Sequence, residues 1–598
     1  MSRKVIVFGV DGLMMPLIQK FAAEGALPHI SRMLNEGAAT ELLPYISAWG
    51  DVNWASFIAG QAPGTAWRGQ AQPTDYERTR ALLHRLEEKG LRAALVHFPE
   101  SVASPAPHFT LSPYWSAAQP CPYTFATPAI FTTDSARYDV PPKTRQQTLG
   151  WPPSSPLAYH DKGLWQPLVQ GEKGDYRLTI RSAHKDSVTL SLNVDALTLS
   201  AAGESVTLQQ GQWSDWLPLG QAAEGGKARF WLASLEPHIE LIQSEVTYPK
   251  RIASDEKLAN RLIGELGPFY SQWAVKASPD EAYLSSTLQD AENQSLWLAE
   301  SAVRLTHQHG FSLWAAVHHL IDESHHLCLG QYDPSSPFYD PEQAPRYEAV
   351  IRECYQLLDR SIGRILERVD SDTTLLLASD HGAVPNHFMC DVNRYLAKHG
   401  LVVLNEAGLP VVNQSQVWLK DERGGLEVYI NLAGREPHGI VPQADYGRVQ
   451  DKVLHLLRSW HIVHNGQTRH AVAWALRKED AASAGYWGEA AGDVLFTYDS
   501  GFVWGTSVSG EDICPVVAPG ANHGPQKPTA TTSHSSNYGV LLAWGAGIRK
   551  GYYHDRHQHG PYRMADAGAT IAYLLGVKRD TLDGAIMQAL LTSNESER

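Results

Sequence analysis

The stretch Val5-Ile-Val-Phe-Gly-Val10-Asp11-Gly12 decides the reading of the fold. Val5 to Val10 is continuously apolar and rich in β-branched residues, so it has no wet face. Such a run reads as a strand buried on both sides, as in parallel sheets covered by helices. It stops on an acid and a glycine, and a helical stretch follows. Strand, acidic loop and helix in that order indicate a parallel α/β sheet, whose ligands gather at the carboxyl ends of the strands.

Working outward, Ala93 to His97 reads as another strand, stopped by Phe98-Pro99. The apolar run Leu313 to Val317 precedes Ile321-Asp-Glu-Ser-His-His326. Thr374 to Ala378 is a further buried strand, ending at Ser379-Asp380-His381-Gly382, and strand character recurs at Val540 to Ala543. Helical periodicity marks Ala299 to His307 and Tyr347 to Val369, and Met564 to Leu591 reads as helix, turn, helix. Between about Tyr176 and Tyr248 the texture changes. Arg177 to Ile180, Ser187 to Leu192 and Ile239 to Val246 largely alternate apolar and polar, the pattern of antiparallel strands with one wet face. The prediction is an α/β core over residues 1–160 and 250–598, with a mostly parallel sheet flanked by helices. A β-rich subdomain is inserted at residues 161–249.

At 598 residues the chain is long enough for roughly two to four domains. A formal net charge of −14 gives no overall basic bias, so stable nucleic-acid binding is not expected. The five cysteines, Cys121, Cys328, Cys354, Cys390 and Cys514, are scattered and form no CxxC, which argues against a disulfide framework and fits a cytoplasmic protein. The N-terminal MSRKVIVFGVDG is not a signal peptide, because its apolar run is short and reaches Asp11. No apolar stretch approaches the roughly 20 residues of a membrane span. Oligomeric state is left open.

Three groups of acids and histidines follow strands: Asp11; Asp322 with His326; and Asp380 with His381. Each alone has an ordinary explanation. Asp-Gly after a strand is a common turn, and Asp with His four residues later is a common helix-surface pair. Together, in loops that one parallel sheet brings to one edge, they make a set of mixed carboxylate and imidazole ligands. That set suits Zn²⁺ or Mn²⁺. Two such ions can polarise a phosphoryl oxygen, generate a nucleophile and stabilise the leaving oxygen.

These motifs, with a later His534, resemble in order the metal ligands of the alkaline phosphatase superfamily, in its type I phosphodiesterase and nucleotide pyrophosphatase branch. The nearest likeness is to the alkaline-phosphatase-like phosphohydrolase or phosphomutase group. The resemblance extends over almost the whole chain, through Gly25-Ala-Leu-Pro-His-Ile30, Tyr355-Gln-Leu-Leu-Asp359, Asn393-Arg-Tyr-Leu396, Tyr429 to Ile440, Gly545-Ala-Gly-Ile548 and Leu582-Asp583-Gly584. It implies an alkaline-phosphatase-like core and two divalent ions, Zn or Mn. One ion would be held by Asp322, His326 and His534, the other by Asp11, Asp380 and His381. His523, in Asn522-His523-Gly524, competes with His534. His534 is preferred because it leads directly into the strand from Gly539.

The resemblance breaks at the nucleophile. The family carries a Ser or Thr four residues before the Trp of Trp-x-Ser-Phe-x-Thr-Gly. Here that stretch is Trp54-Ala-Ser-Phe-Ile-Ala-Gly60, and the position four before is Gly50. Ala66 and Trp67 stand where the family has a His-Gly pair. Three readings remain. Asp51 serves as nucleophile or bridging ligand, because carboxylates can form acyl phosphates. Ser47 reaches the metals through a longer loop. Or a metal-bound water attacks. Asp51 is favoured, although it also suits a helix N-cap. The chain is therefore expected to be a two-metal hydrolase of phosphodiesters, pyrophosphates or phosphomonoesters, acting on a small phosphate-containing molecule. The alternatives are a phosphomutase or phosphotransferase on the same site, and a non-catalytic relative that binds metal or ligand.

Overall fold

Lys4–Val10 forms β1, the centre of a nine-stranded sheet in the computed structural model. The structure describes residues 3–46, 50–66, 80–99, 107–112, 124–126, 128–132, 176–180, 186–193, 196–201, 204–218, 226–234, 240–250, 252–419, 427–488, 491–507, 510–524 and 526–592. The other strands of the path are β2 (Ala38–Leu43), β3 (Ala93–Val96), β4 (Phe109–Leu111), β5 (Leu313–His318), β6 (Thr373–Ala378), β7 (Gly539–Gly545) and β8 (Tyr552–His554). Their order is β8-β2-β7-β6-β1-β5-β3-β4, and the two-residue strand Tyr562–Arg563 also pairs with β2. Strand β7 runs antiparallel to both its neighbours, and the other pairings are parallel.

The continuous apolar character of β1 is used on both faces. Ile6, Phe8 and Val10 pack into one layer, whereas Val5 and Val7 pack into the other. The first layer is covered by α1 (Met15–Ala23), α2 (Pro28–Glu36) and three later helices that include Trp297, Leu320 and Tyr355. The second is covered by α3 (Gly50–Ala59), α4 (Arg80–Glu88) and a C-terminal helix that includes Ile571. In chain order the later helices are α5 (Leu284–Val303), α6 (Leu320–Tyr332), α7 (Ala344–Leu366), α8 (Tyr446–Ser459) and α9 (Met564–Leu575). Two of the motifs that carried the resemblance meet here. The Asp359 carboxylate on α7 accepts hydrogen bonds from the Ile30 and His29 amides, at 2.7 and 3.3 Å, and so caps α2 where Pro28 begins it.

Residues 388–513 build a third apolar core. A four-stranded antiparallel sheet, ordered Val417–Leu419, Glu427–Ile430, Val494–Tyr498, Val472–Arg477, packs there against α8. Arg435 makes two parallel bonds to the buried Asp493 at 2.8 and 2.6 Å, which lock the loop that follows Ile430.

The alternating segments form antiparallel strands. Tyr176–Ile180, Asp186–Asn193, Ala196–Ala201 and Glu204–Leu208 make one sheet, and Phe230–Ser234 with Glu240–Gln243 makes part of another. Its third strand is Ala129–Thr132, so this pairing starts before residue 161.

Two elements depart from the sequence reading. Strand β3 stops at Val96 because His97 takes φ 51°, outside the strand region. The second tail helix is only a 3₁₀ turn at Gln588–Leu590. The Asp583 and Gly584 amides instead donate to the Gly60 carbonyl at 3.0 and 3.1 Å, and a Cβ at Gly584 would lie 2.1 Å from the Ala565 carbonyl oxygen. That backbone is spent on docking to the end of α3 and cannot wind into a helix.

Candidate active site

Three strand ends meet at the carboxyl edge of the sheet. Asp11 follows β1, and its amide donates to the His318 carbonyl at the end of β5, at 2.9 Å. Gly12 has φ 75°, and a Cβ there would lie 2.9 Å from Asp322 Cα, so glycine lets the β1 loop close against α6. Asp322 sits in the first turn of α6, and His326 shares its face one turn later. Asp380 and His381 follow β6. Ser379 braces them, its hydroxyl donating to the Leu13 carbonyl at 2.6 Å and accepting from the Val540 amide at 3.0 Å.

The side chains converge. His381 Nε2 lies 3.2 Å from Asp11 Oδ1 and 3.0 Å from Asp380 Oδ2. His326 Nε2 lies 3.3 Å from Asp322 Oδ2, and His523 Nε2 lies 3.6 Å from Asp322 Oδ1. The rings of His381 and His523 stack at 3.5 Å between centroids. Asp11, Asp322, His326, Asp380, His381 and His523 are all buried. Two rings are oriented from behind, with His326 Nδ1 2.7 Å from the Ala521 carbonyl and His381 Nδ1 2.9 Å from the Gly382 carbonyl. Those contacts leave each Nε2 facing the carboxylates, the usual arrangement behind metal-binding histidines.

Burial pushes Asp380 up to about 7, helped by repulsion from Asp11 and opposed by His381. Burial acts on Asp11 in the same sense, but His381 and His319 outweigh it and hold its carboxyl well below the ordinary range. Burial would lower His381, yet Asp380 and Asp11 raise it well above an ordinary histidine. Charge of both signs is thus packed into one dry site, which is costly unless something compensates it.

The donors fit divalent cations. Asp322, His326 and His523 present ligand atoms within 4.8 Å of one another, and so do Asp11, Asp322 and His381. Asp322 belongs to both triads. Among the described residues, buried atoms Asp322 Oδ1, Asp380 Oδ1, Asp380 Oδ2 and His381 Nε2 make no hydrogen bond in good geometry. Buried carboxylate oxygens left this way are expensive, and a carboxylate–imidazole set of this kind is the ordinary coordination of Zn²⁺ or Mn²⁺.

Five of the six residues expected from the sequence come together here, and His534 does not. It is half-buried, its ring edge-on to Tyr332 at 5.3 Å and its Nδ1 2.7 Å from Ser533 Oγ. Asp333 pins its loop, accepting from Thr532 Oγ1 at 2.6 Å and from Ser535 Oγ. His523 takes the place expected for His534. The short strand Ala521–Asn522 pairs with Val384–Pro385, just past His381, and carries His523 into the cluster. That pairing is long-range and leaves no local signal in the sequence. Asp51 lies in the first turn of α3, and Ser47 lies outside the described residues.

Two further residues border the site. Trp54 on α3 is fully buried, and its indole Nε1 lies 3.4 Å from Asp11 Oδ2. A Cβ at Gly9 would meet that indole at 2.8 Å, so the glycine in β1 makes room for it. His319 places Nε2 3.4 Å from Asp11 Oδ2, with its side chain 31% exposed, against 9% or less for the carboxylates and histidines of the cluster. The adjacent His318-His319 pair was the available signal for it.

Residues 222–526 match the family model described as type I phosphodiesterase / nucleotide pyrophosphatase. No curated protein matches the sequence. Among solved structures, an inactive variant of murine ectonucleotide pyrophosphatase / phosphodiesterase 5 in complex with AMP is 11% identical, with TM-score 0.47, covering 99% of this chain and 100% of that one. A mutant of the alkaline phosphatase PafA is 13% identical, with TM-score 0.47 and coverage of 99% and 100%. Phosphonoacetate hydrolase from Sinorhizobium meliloti in complex with phosphonoformate is 11% identical, with TM-score 0.43 and coverage of 96% of each chain. No helix among the described residues is long and apolar enough to cross a membrane. The family match spans just over half of the sequence and includes Asp322, His326, Asp380, His381 and His523, and the chain belongs to the type I phosphodiesterase / nucleotide pyrophosphatase family of phosphoester hydrolases.

Proposed function

We propose that the chain is a two-cation hydrolase of a small phosphodiester, pyrophosphate or phosphomonoester. Asp322, His326 and His523 would hold one ion, and Asp11, Asp380 and His381 the other. Bound there, divalent ions supply Lewis-acid polarisation of a phosphoryl oxygen and lower the pKa of water. The observation that carries the reading is the convergence of buried Asp11, Asp322 and Asp380 with three histidines whose Nε2 atoms face them.

The chain's own groups have separable tasks. Trp54 orients Asp11. His319, the most open side chain bordering the cluster, is suited to donating a hydrogen bond to a phosphoryl oxygen. The N-terminal turn of α3 favours an anion through the positive end of the helix dipole. Gly50 and Asp51 occupy that turn, four and three residues ahead of Trp54. Gly50 has no hydroxyl to form a phospho-enzyme, which favours hydrolysis over transfer of phosphate between acceptors. Asp51 is the residue of this turn with chemistry to offer.

The test is metal analysis of purified protein together with turnover of p-nitrophenyl phosphate and bis(p-nitrophenyl) phosphate. Bound Zn or Mn and hydrolysis abolished by a chelator are expected. Protein with neither metal nor turnover would remove the reading, and phosphate transfer to an added sugar would replace it with the mutase alternative.

A further inference from the structure

The helix proposed to face the substrate is gripped at both ends by a distant segment. Gly485 and Tyr486 follow the 3₁₀ turn Lys478–Ala484 and lead towards Val494–Tyr498, a strand of the antiparallel sheet in the third core. Ahead of α3, the Tyr486 hydroxyl donates to the Ile46 carbonyl. Behind it, the Gly64 amide donates to the Gly485 carbonyl at 2.8 Å. Two consecutive residues thus hold the backbone on either side of α3, at Ile46 and at Gly64.

The fit is close on each side. Gly485 has φ 91°, and a Cβ there would lie 2.6 Å from the Tyr45 ring. A Cβ at Gly64 would lie 2.4 Å from the Trp487 ring. Tyr486 is 4% exposed and packs in the same apolar cluster as Tyr45, Ile46, Val52, Trp54 and Phe57. The Tyr45 amide donates to the Asn53 side chain at 2.9 Å, closing the segment onto the first turns of α3.

We infer that Tyr486 is a positioning residue for the N-terminal turn of α3, the turn that carries Gly50 and Asp51. The inference rests on the hydrolase reading above and deepens it. A buried hydroxyl bonded to a main-chain carbonyl fixes the carbonyl in direction as well as in position. The Tyr45 amide bond to Asn53 ties the backbone beside Ile46 to the first turn of α3, so a drift at Ile46 is passed on to that turn. Displacements near 1 Å at a reacting centre are enough to cost about 100-fold in rate.

The experiment is Tyr486→Phe, which keeps the ring and removes only the hydroxyl. Expected is a roughly tenfold or larger fall in kcat on bis(p-nitrophenyl) phosphate, with KM within twofold and bound metal unchanged. Tyr395→Phe serves as the comparison. Its hydroxyl likewise donates to a main-chain carbonyl, that of Leu456 at 2.9 Å, but in the third apolar core and away from α3. It should share any small loss of thermal stability and keep wild-type kcat per bound metal. Equal kcat for wild type and Tyr486→Phe overturns the positioning role. So does an equal fall in both variants, which would mark a general packing effect. Wild-type protein without metal-dependent turnover overturns the hydrolase reading instead, so the two failures are distinguishable.

Discussion

His381 and His523 stack face to face, with ring centroids 3.5 Å apart and planes 13° from parallel, although one follows β6 and the other follows the short strand Ala521–Asn522. Stacking sets both imidazoles at one depth in the site. It also presents His523 Nε2 to Asp322, whose opposite oxygen faces His326. Removal of His523 therefore strips a donor from the Asp322 triad. His523→Ala is expected to lower metal occupancy and to cut turnover by at least about 100-fold, the scale of effects seen when metal-site shells are altered. His534→Ala, outside the cluster, should stay within about twofold of wild type in both. Metal analysis and kinetics on the two variants check this, and the reverse ranking would restore His534 as the ligand.

Asp380 offers the sharpest probe of charge in the site, because its two buried oxygens meet no well-aligned hydrogen-bond donor among the described residues. Asp380→Asn keeps the shape and removes the negative charge. Loss of most bound metal and of activity is expected, with the folded state retained. Since burial and the nearby Asp11 disfavour the carboxylate in metal-free protein, the amide should fold at least as stably. Thermal melts in chelator would show this. An active, metal-loaded Asp380→Asn protein is incompatible with the site as assigned.

The pH dependence of metal binding follows from the same group. Burial raises Asp380 to about 7 in metal-free protein, and His381 is raised well above its ordinary value by Asp380 and Asp11. Both must give up protons to ligate. The sign is therefore fixed: affinity falls as pH drops below about 7, by about tenfold or more per pH unit, since at least one proton is displaced. Above that range the Asp380 contribution flattens. Competition with a chelator at pH 6, 7 and 8 measures the slope. Affinity that is flat across this range would show that Asp380 is already ionised.

Much of this arrangement is legible in the sequence because the strands that matter are buried on both faces. Val5 to Val10 and Thr374 to Ala378 are apolar without interruption, so the acids that end them stand out. Asp322 and His326 are legible because helical spacing alone puts them on one face. His523 is not. The pairing of Ala521 with Pro385 that brings it in is set by tertiary packing, whereas His534 has the better local credentials ahead of β7. The antiparallel direction of β7 is equally silent, since a buried strand reads the same either way. Tyr486 sits in the sequence between segments of the third core, and only the fold reveals that it packs beside Ile46 and that its hydroxyl reaches the Ile46 carbonyl.

Trp54 shows how a residue that packs can also tune chemistry. It lies edge-to-face against Phe57 and Phe98, at 5.5 and 5.8 Å, while its Nε1 faces Asp11. Trp54→Phe is expected to retain most of the packing and lose the polar contact, lowering turnover by about 10- to 100-fold. Trp54→Ala should in addition cost about 3–5 kcal/mol of stability through the cavity it leaves. Unchanged kinetics in Trp54→Phe would reduce the indole to a filler of space.

The nucleophile is the last expectation, and it turns on the first turn of α3. Gly50 has no side-chain nucleophile, and Asp51 lies three residues ahead of Trp54 in α3. If Asp51 takes part in the reaction, Asp51→Ala loses most turnover, by about 100-fold or more. Ser47→Ala then remains close to wild type. Asp51→Asn separates the two roles open to this residue. Asp51 lies within α3, which starts at Gly50, and not at its cap; an amide keeps the size and polarity of the side chain but cannot attack phosphorus, so a folded, metal-loaded and inactive Asp51→Asn protein assigns chemistry to the carboxylate. Gly50→Ser, which restores a hydroxyl where the family carries one, is expected to open transfer of phosphate to added alcohols. Its appearance, with none in the wild type, would assign the preference for hydrolysis to the absence of a hydroxyl at position 50.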